Sequence, residues 1–137
     1  KWQQEGTKTF LGLHSEGFPN LFIVSGPQGG GGSFNFTNAI EEHGDYVVWM
    51  LSTMRDKGAD VVDVKSEPEE EYAAHCRQAD QLTRPLRDCI TYYNGHGEAE
   101  PGSLAYYGGG NWHKYRTRAQ QTLDPYEFES RSQIVDR

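Results

Sequence analysis

The chain has 137 residues, a length typical of one domain built around one hydrophobic core. Only 35% of the residues are hydrophobic, so we do not expect a large interior. The formal net charge of −7 argues against a nucleic-acid partner, and no apolar run approaches the roughly 18 residues of a membrane span. The first residues resemble neither a Met start nor a signal peptide, and we expect a cytoplasmic protein that contacts neither nucleic acid nor a membrane.

The N-terminal part of the chain predicts loops and two short strands. Residues 1–20 are interrupted by Gly and Pro and predict turns, with one short strand near residues 9–13. Residues 21–24 form the unbroken apolar run Leu-Phe-Ile-Val between Pro19 and Pro27. Such a run indicates a buried strand, and we interpret it as parallel because it lacks the alternation of a half-exposed strand.

A long helix is predicted over residues 38–57, after a glycine-rich segment at residues 28–37. Asn38 and Glu41 have the spacing of a capping box, and Gly58 marks the end of the helix. Apolar residues recur at helical spacing between them, at Ile40, Val47, Val48, Leu51 and Met54.

The second half of the chain predicts one further helix and less regular structure. Residues 61–64 are interpreted as a short strand or an extended link. Ser66 and Glu69 form a second possible capping box, so a helix is predicted over residues 67–82. Its inner face would hold Tyr72, Cys76, Ala79 and Thr83, with the three glutamates at 69–71 in solvent. The segment after Pro85 is rich in aromatic residues and glycine, and the tail at residues 124–137 is predicted to be polar and peripheral.

The strand, glycine-rich loop and helix form the unit with the clearest chemical use. Free N–H groups at a helix start favour a negative or electron-rich ligand edge, and glycines allow that ligand to come close. The segment matches neither the G-x-G-x-x-G nor the G-x-x-x-x-G-K-[ST] fingerprint, so the spacing alone leaves a simple flexible loop equally open. His75 and Cys76 are adjacent on a predicted helix and point in different directions, and the five histidines lack metal-ligand spacing, so we predict no metal site. We expect both cysteines to be reduced.

A family pattern runs through the first third of the chain. It consists of Trp2, Gly6, Thr9-Phe10-Leu11-Gly12, Gly17-Phe18-Pro19-Asn20-Leu21-Phe22, Gly26-Pro27, Asn35 and Ile40-Glu41. In this order the pattern closely resembles the Baeyer–Villiger flavin monooxygenases. Residues 91–95 are similar to the C-terminal region of the same family, so the resemblance covers residues 2–115 and fades beyond.

The resemblance implies an enzyme in which NADPH reduces FAD and an oxygen atom from O₂ is inserted into a ketone, giving an ester or a lactone. It also implies an α/β fold, the C-terminal part of a Rossmann-like FAD domain followed by a helical or irregular cap. Residues 1–58 would be the last strand, loop and helix of the FAD domain, residues 59–123 a helical and loop region, and residues 124–137 a tail. The family's dinucleotide fingerprints and catalytic arginine would lie before Lys1. We therefore expect a C-terminal fragment that holds no catalytic residue, is inactive alone and partners the upstream part of the same enzyme.

The resemblance also implies the site residues. Those expected to contact or back the flavin are Gly26, Pro27, Asn35, Phe36 and Thr37. Those expected to line the substrate pocket are Gly31, Gly32, Ser33 and Phe34, where the run of glycines predicts a roomier pocket than usual. Tyr92 matches a position, usually tryptophan, that covers the ribose of the nicotinamide cofactor, and tyrosine there lacks the indole N–H donor.

Two other classes of function remain open at this point. The glycine loop and the aromatic residues are also compatible with a non-catalytic ligand-binding module. Exposed helix faces are compatible with a protein-interaction module.

Overall fold

A computed structural model describes residues 6–29, 35–79, 90, 111–130 and 132. Within these residues the elements follow the order α1 (Phe36–Lys57), β1 (Val61–Val64), α2 (Ser66–Ala79), α3 (Asn111–Thr122) and β2 (Tyr126–Glu129). The structure is thus a mixture of helices with one small sheet, and two long loops precede α1.

Helix α1 confirms the predicted long helix but begins two residues earlier. The side chain of Asn35, rather than that of Asn38, caps the helix by accepting a hydrogen bond from the Thr37 N–H at 3.1 Å. The predicted capping box at Asn38 is therefore wrong, because Asn35 already satisfies a free N–H group one turn earlier. The helix ends as predicted at Gly58, whose φ of 64° is the left-handed conformation that favours glycine.

The sheet pairs β1 with β2 in antiparallel orientation, with Val61 opposite Glu129 and Val64 opposite Tyr126. Residues 61–64, interpreted from the sequence as a short strand or an extended link, form the strand β1. β2 corrects the prediction of a peripheral tail, because Tyr126 is buried and its segment supplies the second strand. The pairing joins residues more than sixty positions apart, which local sequence cannot reveal.

The apolar run at residues 21–24 is a loop, so the predicted buried parallel strand is wrong. Asn20 and Ser25 on either side have φ values of 62° and 55°, which bend the chain out of strand geometry. Leu21 and Val24 are exposed, and the Ile23 N–H donates to the Leu13 carbonyl at 2.8 Å. The strand predicted near residues 9–13 is also replaced, by a tight turn closed by one bridge between Phe10 and His14.

Helix α2 begins one residue before its predicted start, and Tyr72 and Cys76 lie on its buried face as expected. Glu69 corrects the prediction of a fully solvated acidic run. It is buried, and its Oε1 accepts a hydrogen bond from the Glu16 N–H at 2.8 Å. Its carboxylate fastens the loop at residues 15–17 to α2, while Glu70 and Glu71 remain exposed.

One hydrophobic cluster connects the loops, the helices and the sheet. Its buried members are Phe10, Leu11, Leu13, Tyr46, Met50, Met54, Val62, Val64, Tyr72, Cys76, Trp112, Ala119 and Tyr126. At its centre the hydroxyl groups of Tyr46 and Tyr126 hydrogen-bond at 2.6 Å. The cluster takes residues from all three predicted ranges, 1–58, 59–123 and 124–137, and the division itself stays a prediction.

Candidate functional site

The loop before the glycine run is a tightly held bend formed by residues 25–29, called the bend below. Gln28 is fully buried in it, and its Oε1 accepts hydrogen bonds from the N–H and the hydroxyl of Thr9 at 2.9 and 3.1 Å. The Gln28 Nε2 donates to the Thr7 carbonyl at 3.2 Å, and the Gln28 carbonyl accepts from the Tyr72 hydroxyl at 2.7 Å. Because the oxygen and the nitrogen of the Gln28 side-chain amide both have hydrogen-bond partners within the protein, these contacts fix the conformation of the bend.

Three glycines allow the turn at residues 10–14 to pack directly on the bend. A Cβ atom on Gly12 would lie 2.1 Å from the Cα of Gly29, and a Cβ on Gly26 would lie 2.4 Å from the Gly12 carbonyl oxygen. A Cβ on Gly29 would also lie 2.9 Å from the ring of His43. Any side chain at these positions would separate the two loops, so the sequence requires glycine for close packing here.

His43 connects the bend to α1. Its Nδ1 accepts a hydrogen bond from the Ser25 N–H at 2.9 Å, and its ring stacks on Trp112 with the centroids 5.3 Å apart. Burial lowers the pKa of His43, and the backbone of Gly29 partly offsets that effect. Because Nδ1 accepts a hydrogen bond, the neutral ring carries its proton on Nε2, which is buried.

Trp112 fixes α3 against the same region. Its indole Nε1 donates to the Leu11 carbonyl at 2.9 Å, and the guanidinium of Arg116 lies 5.5 Å from the centre of its ring. Arg116 also pairs with Glu42 on α1. The turn at residues 10–14, the bend, α1 and α3 thus meet around His43 and Trp112.

The start of α1 is open to solvent. Asn35, Thr37 and Asn38 are exposed, and Phe36 has 66% of its surface accessible. The first turn has no acidic residue, so nothing there cancels the partial positive charge of the helix N-terminus. An anionic or electron-rich group would be stabilised by this end of the helix, beside the apolar ring of Phe36.

The structure describes five of the ten predicted site residues. Gly26 and Pro27 lie in the bend, and Asn35, Phe36 and Thr37 form the cap and first turn of α1. Gly31, Gly32, Ser33, Phe34 and Tyr92 lie outside the described residues. In the described ranges no group of His, Cys, Asp and Glu has the arrangement of a metal site, and no helix is long and apolar enough to cross a membrane.

Sequence reasoning missed Gln28 and His43, the two polar side chains that organise the region. A signal for His43 was available, because it occupies the same helical face as Ala39, Tyr46 and Met50, all of which are buried. A histidine on an apolar face requires a local hydrogen-bond partner. Gln28 had no such signal, since its partners Thr7 and Thr9 are loop residues about twenty positions earlier.

Comparisons with known proteins point consistently to one group of enzymes, although no family model matches the chain. A Baeyer-Villiger monooxygenase from Streptomyces coelicolor is 31% identical over 128 residues, which are 90% of this chain and 21% of that protein. The chain spans about a fifth or less of the length of the curated relatives that it matches first.

Solved structures agree with the sequence relatives. The polycyclic ketone monooxygenase of the thermophilic fungus Thermothelomyces thermophila superposes with a TM-score of 0.75 at 26% identity, over 96% of this chain and 22% of that one. OTEMO in complex with FAD and NADP superposes with a TM-score of 0.73 at 22% identity, over 91% of this chain and 24% of that one. At this identity the second match shows the fold alone.

Proposed function

Because the chain is similar to Baeyer–Villiger monooxygenases over most of its length, we propose that it forms part of a longer FAD- and NADPH-dependent enzyme of that family. That enzyme would insert one oxygen atom from O₂ into a ketone and release an ester or a lactone. The proposal is supported by the monooxygenase relatives and by the FAD and NADP named in the description of a structural neighbour. Within the longer polypeptide, this chain would form the C-terminal part of the Rossmann-like FAD domain and the cap that follows it.

The bend and the start of α1 suit a flat, electron-rich ring. The helix presents its first N–H groups without a competing carboxylate, and Phe36 adds an exposed apolar surface. Gln28 and His43 hold the bend in one conformation through their hydrogen bonds to Thr9 and Ser25. Gly26, Pro27, Asn35, Phe36 and Thr37 would hold the flavin, which when bound supplies the redox chemistry that side chains lack.

The role of this chain is then positioning and exclusion of water. The hydrogen bonds of Gln28 hold the bend in one conformation before any ligand arrives, so little entropy is lost on binding. Phe36 would shield the reacting edge from solvent. Gly31, Gly32, Ser33 and Phe34 would line the ketone pocket, and Tyr92 would cover the nicotinamide cofactor.

The single observation that carries the proposal is the open, carboxylate-free start of α1 directly after the glycine segment, in a chain whose relatives are monooxygenases. The first test is expression of the longer polypeptide that contains this chain. We expect a yellow protein that oxidises NADPH only when a ketone is added, and a product that gains one oxygen atom from isotope-labelled O₂. A colourless protein, or NADPH oxidation without oxygenated product, would refute the proposal.

A charge at the helix start tests the site itself. Thr37→Glu places a carboxylate in the first turn of α1, and we expect the protein to retain less FAD after dialysis. Gln78→Glu makes the same change of charge at an exposed position of α2 and should retain FAD normally. Equal retention in both variants would remove the helix start from the site.

The size of the pocket has its own test. Replacing Gly31 and Gly32 with leucine should shift the preference of the enzyme toward smaller ketones. Unchanged selectivity would contradict the assignment of these glycines to the pocket.

A further inference from the structure

His43 is a buried, ionisable side chain that fastens the bend to α1. Its Nδ1 accepts the hydrogen bond from the N–H of Ser25, the first residue of the bend. The other edge of the ring lies against Gly29, the last residue, because a Cβ there would lie 2.9 Å from Cε1 and 3.5 Å from Nε2. The bend itself, Ser-Gly-Pro-Gln-Gly, carries no ionisable side chain. The contact of the bend with α1 therefore depends on the state of one imidazole.

The hydrogen bond to His43 holds Ser25 in a strained conformation. The φ of Ser25 is 55°, in the left-handed region that is unfavourable for residues other than glycine. Gln28 has a similar φ of 63°, but its side-chain amide is held by Thr7 and Thr9, which do not titrate. Protonation of His43 would therefore loosen the bend at Ser25 and leave the hydrogen bonds of Gln28 in place.

A proton on the ring removes the acceptor of the Ser25 amide. A neutral imidazole has one acceptor nitrogen, here Nδ1, whereas an imidazolium donates from both nitrogens. The Ser25 N–H and the new Nδ1–H would then be two donors that face each other, with their nitrogens 2.9 Å apart. A donor that loses its acceptor in the interior is unfavourable, so the bend would move away from α1.

The charged groups around His43 do little to stabilise an imidazolium. Arg116 on α3 lies over the ring of Trp112 and pairs with Glu42 of α1, so these two charges offset each other. His14 in the turn at residues 10–14 packs on the rings of other residues. The ionisable residues that flank His43 and Trp112 in the sequence are exposed to solvent: Glu41, Asp45, His113 and Lys114. Burial is then the main influence, and it lowers the pKa of His43.

We propose that His43 is a proton-sensitive positioning residue, whose neutral ring holds the bend against α1 and whose protonated ring releases it. Because burial lowers the pKa, the stabilisation by the neutral ring is complete above pH 6.5 and is lost as the pH falls through the lowered pKa. Gly26 and Pro27 lie in the bend, so the enzyme should also release FAD as the pH falls. This last step rests on the proposed function, whereas the release of the bend does not.

Three variants of the longer polypeptide separate the acceptor at His43 from its titration. His43→Asn places an amide oxygen where Nδ1 lies, so it retains the acceptor for Ser25 and cannot gain a proton. His43→Leu removes the acceptor at every pH. His14→Gln replaces the buried histidine outside the bend and serves as the matched control.

Amide hydrogen exchange, followed by mass spectrometry in peptides that cover residues 25–29, measures the release of the bend. The rates are recorded from about pH 8 to about pH 4.5 and corrected for the intrinsic effect of pH on exchange. We expect the parent protein and His14→Gln to lose protection of the bend about tenfold or more as the pH falls below 6.5. His43→Asn should show no such loss, and His43→Leu should be unprotected throughout.

Two results would overturn the inference. If the bend of the parent protein stays protected over the whole pH range, protonation of His43 does not release it. If His43→Asn loses protection over the same range as the parent protein, another group causes the release. If His43→Leu does not fold, the comparison of the parent protein with His43→Asn decides.

FAD retained after gel filtration at the same pH values distinguishes this inference from the proposed function. A colourless protein whose bend follows the expected pattern would refute the proposed function and leave the role of His43 standing. A yellow, active protein whose bend stays protected at low pH would do the reverse. A yellow protein that keeps its FAD after the bend is released would overturn the link between the bend and the flavin.

Discussion

The contact between Gly12 and Gly29 holds the turn at residues 10–14 against the bend, and one substitution with a matched control can test it. Gly12 and Gly17 both have left-handed backbones, with φ values of 70° and 81°. A Cβ on Gly17 meets nothing within 4 Å among the described residues, whereas a Cβ on Gly12 would lie 2.1 Å from the Gly29 Cα and 2.4 Å from the Gly29 nitrogen. Gly12→Ala and Gly17→Ala therefore share the backbone strain and differ in the steric clash.

The expected magnitudes follow from these two contributions. A left-handed conformation costs a residue other than glycine roughly 1–2 kcal/mol, which both variants lose. Forcing extra volume into a packed site adds roughly 1–3 kcal/mol at Gly12 alone. The clash is with backbone atoms, and the bend cannot move away freely, because the Gly29 N–H bonds to the Gly26 carbonyl at 3.1 Å. We therefore expect Gly12→Ala to be about 1–3 kcal/mol less stable than Gly17→Ala.

Urea unfolding of both variants, followed by circular dichroism, measures this difference. Gly12→Ala should also release FAD more readily than Gly17→Ala if the bend supports the flavin. Equal midpoints for the two alanine variants would show that the loops do not touch at Gly12 and Gly29, and would refute the reasoning.

Three further outcomes follow from buried polar groups. Burial lowers the pKa of His14 from 6.5 to about 3, so its contribution to stability is complete above pH 6.5 and is lost as the pH falls. The free energy of unfolding should therefore fall by about 2 kcal/mol between pH 7.5 and pH 5. In urea titrations at these two pH values, His14→Gln should remove that part of the loss. Tyr46→Phe leaves the Tyr126 hydroxyl buried without its partner and should lower the free energy of unfolding by about 1–3 kcal/mol. Adding Tyr126→Phe should lower it little further. Strictly additive losses of stability in a double-mutant cycle would contradict the pairing. Glu69→Ala leaves a loop amide without its acceptor and should lower the free energy of unfolding by about 1–3 kcal/mol. Glu70→Ala breaks an exposed ion pair with Lys8 and should lower it by less than about 1 kcal/mol. The reverse order of the two urea midpoints would show that the buried carboxylate does not hold the loop.

The local sequence determined the helices of this protein. The apolar spacing along α1 and the stop at Gly58 depend on interactions within about one helical turn, and the predicted helix is wrong only in its first two residues. The start of α2 was predictable for the same reason, whereas residues 61–64 were predicted only as a short strand or an extended link. The resemblance to the Baeyer–Villiger monooxygenases was also evident from the sequence, because the order of Gly, Pro and Asn residues in the first third of the chain is specific, and the comparisons confirm that resemblance.

Tertiary structure decided everything that depends on a distant partner. The run at residues 21–24 has the composition of a strand, but no strand of the described ranges pairs with it, and Asn20 and Ser25 bend the chain away. Tyr126–Glu129 has a polar composition, yet it forms a strand because the edge of β1 offers it hydrogen bonds. Glu69 is buried because an amide more than fifty residues earlier needs an acceptor.

The candidate site divides in the same way. The sequence placed Gly26, Pro27 and the start of α1 on either side of one glycine segment, since those features are continuous along the chain. The roles of Gln28 and His43 appeared only when the fold brought Thr9, Ser25 and Trp112 beside them. Helical period and caps are local properties of a sequence, whereas strand pairing and the burial of a polar side chain depend on which distant groups the folded chain brings into contact.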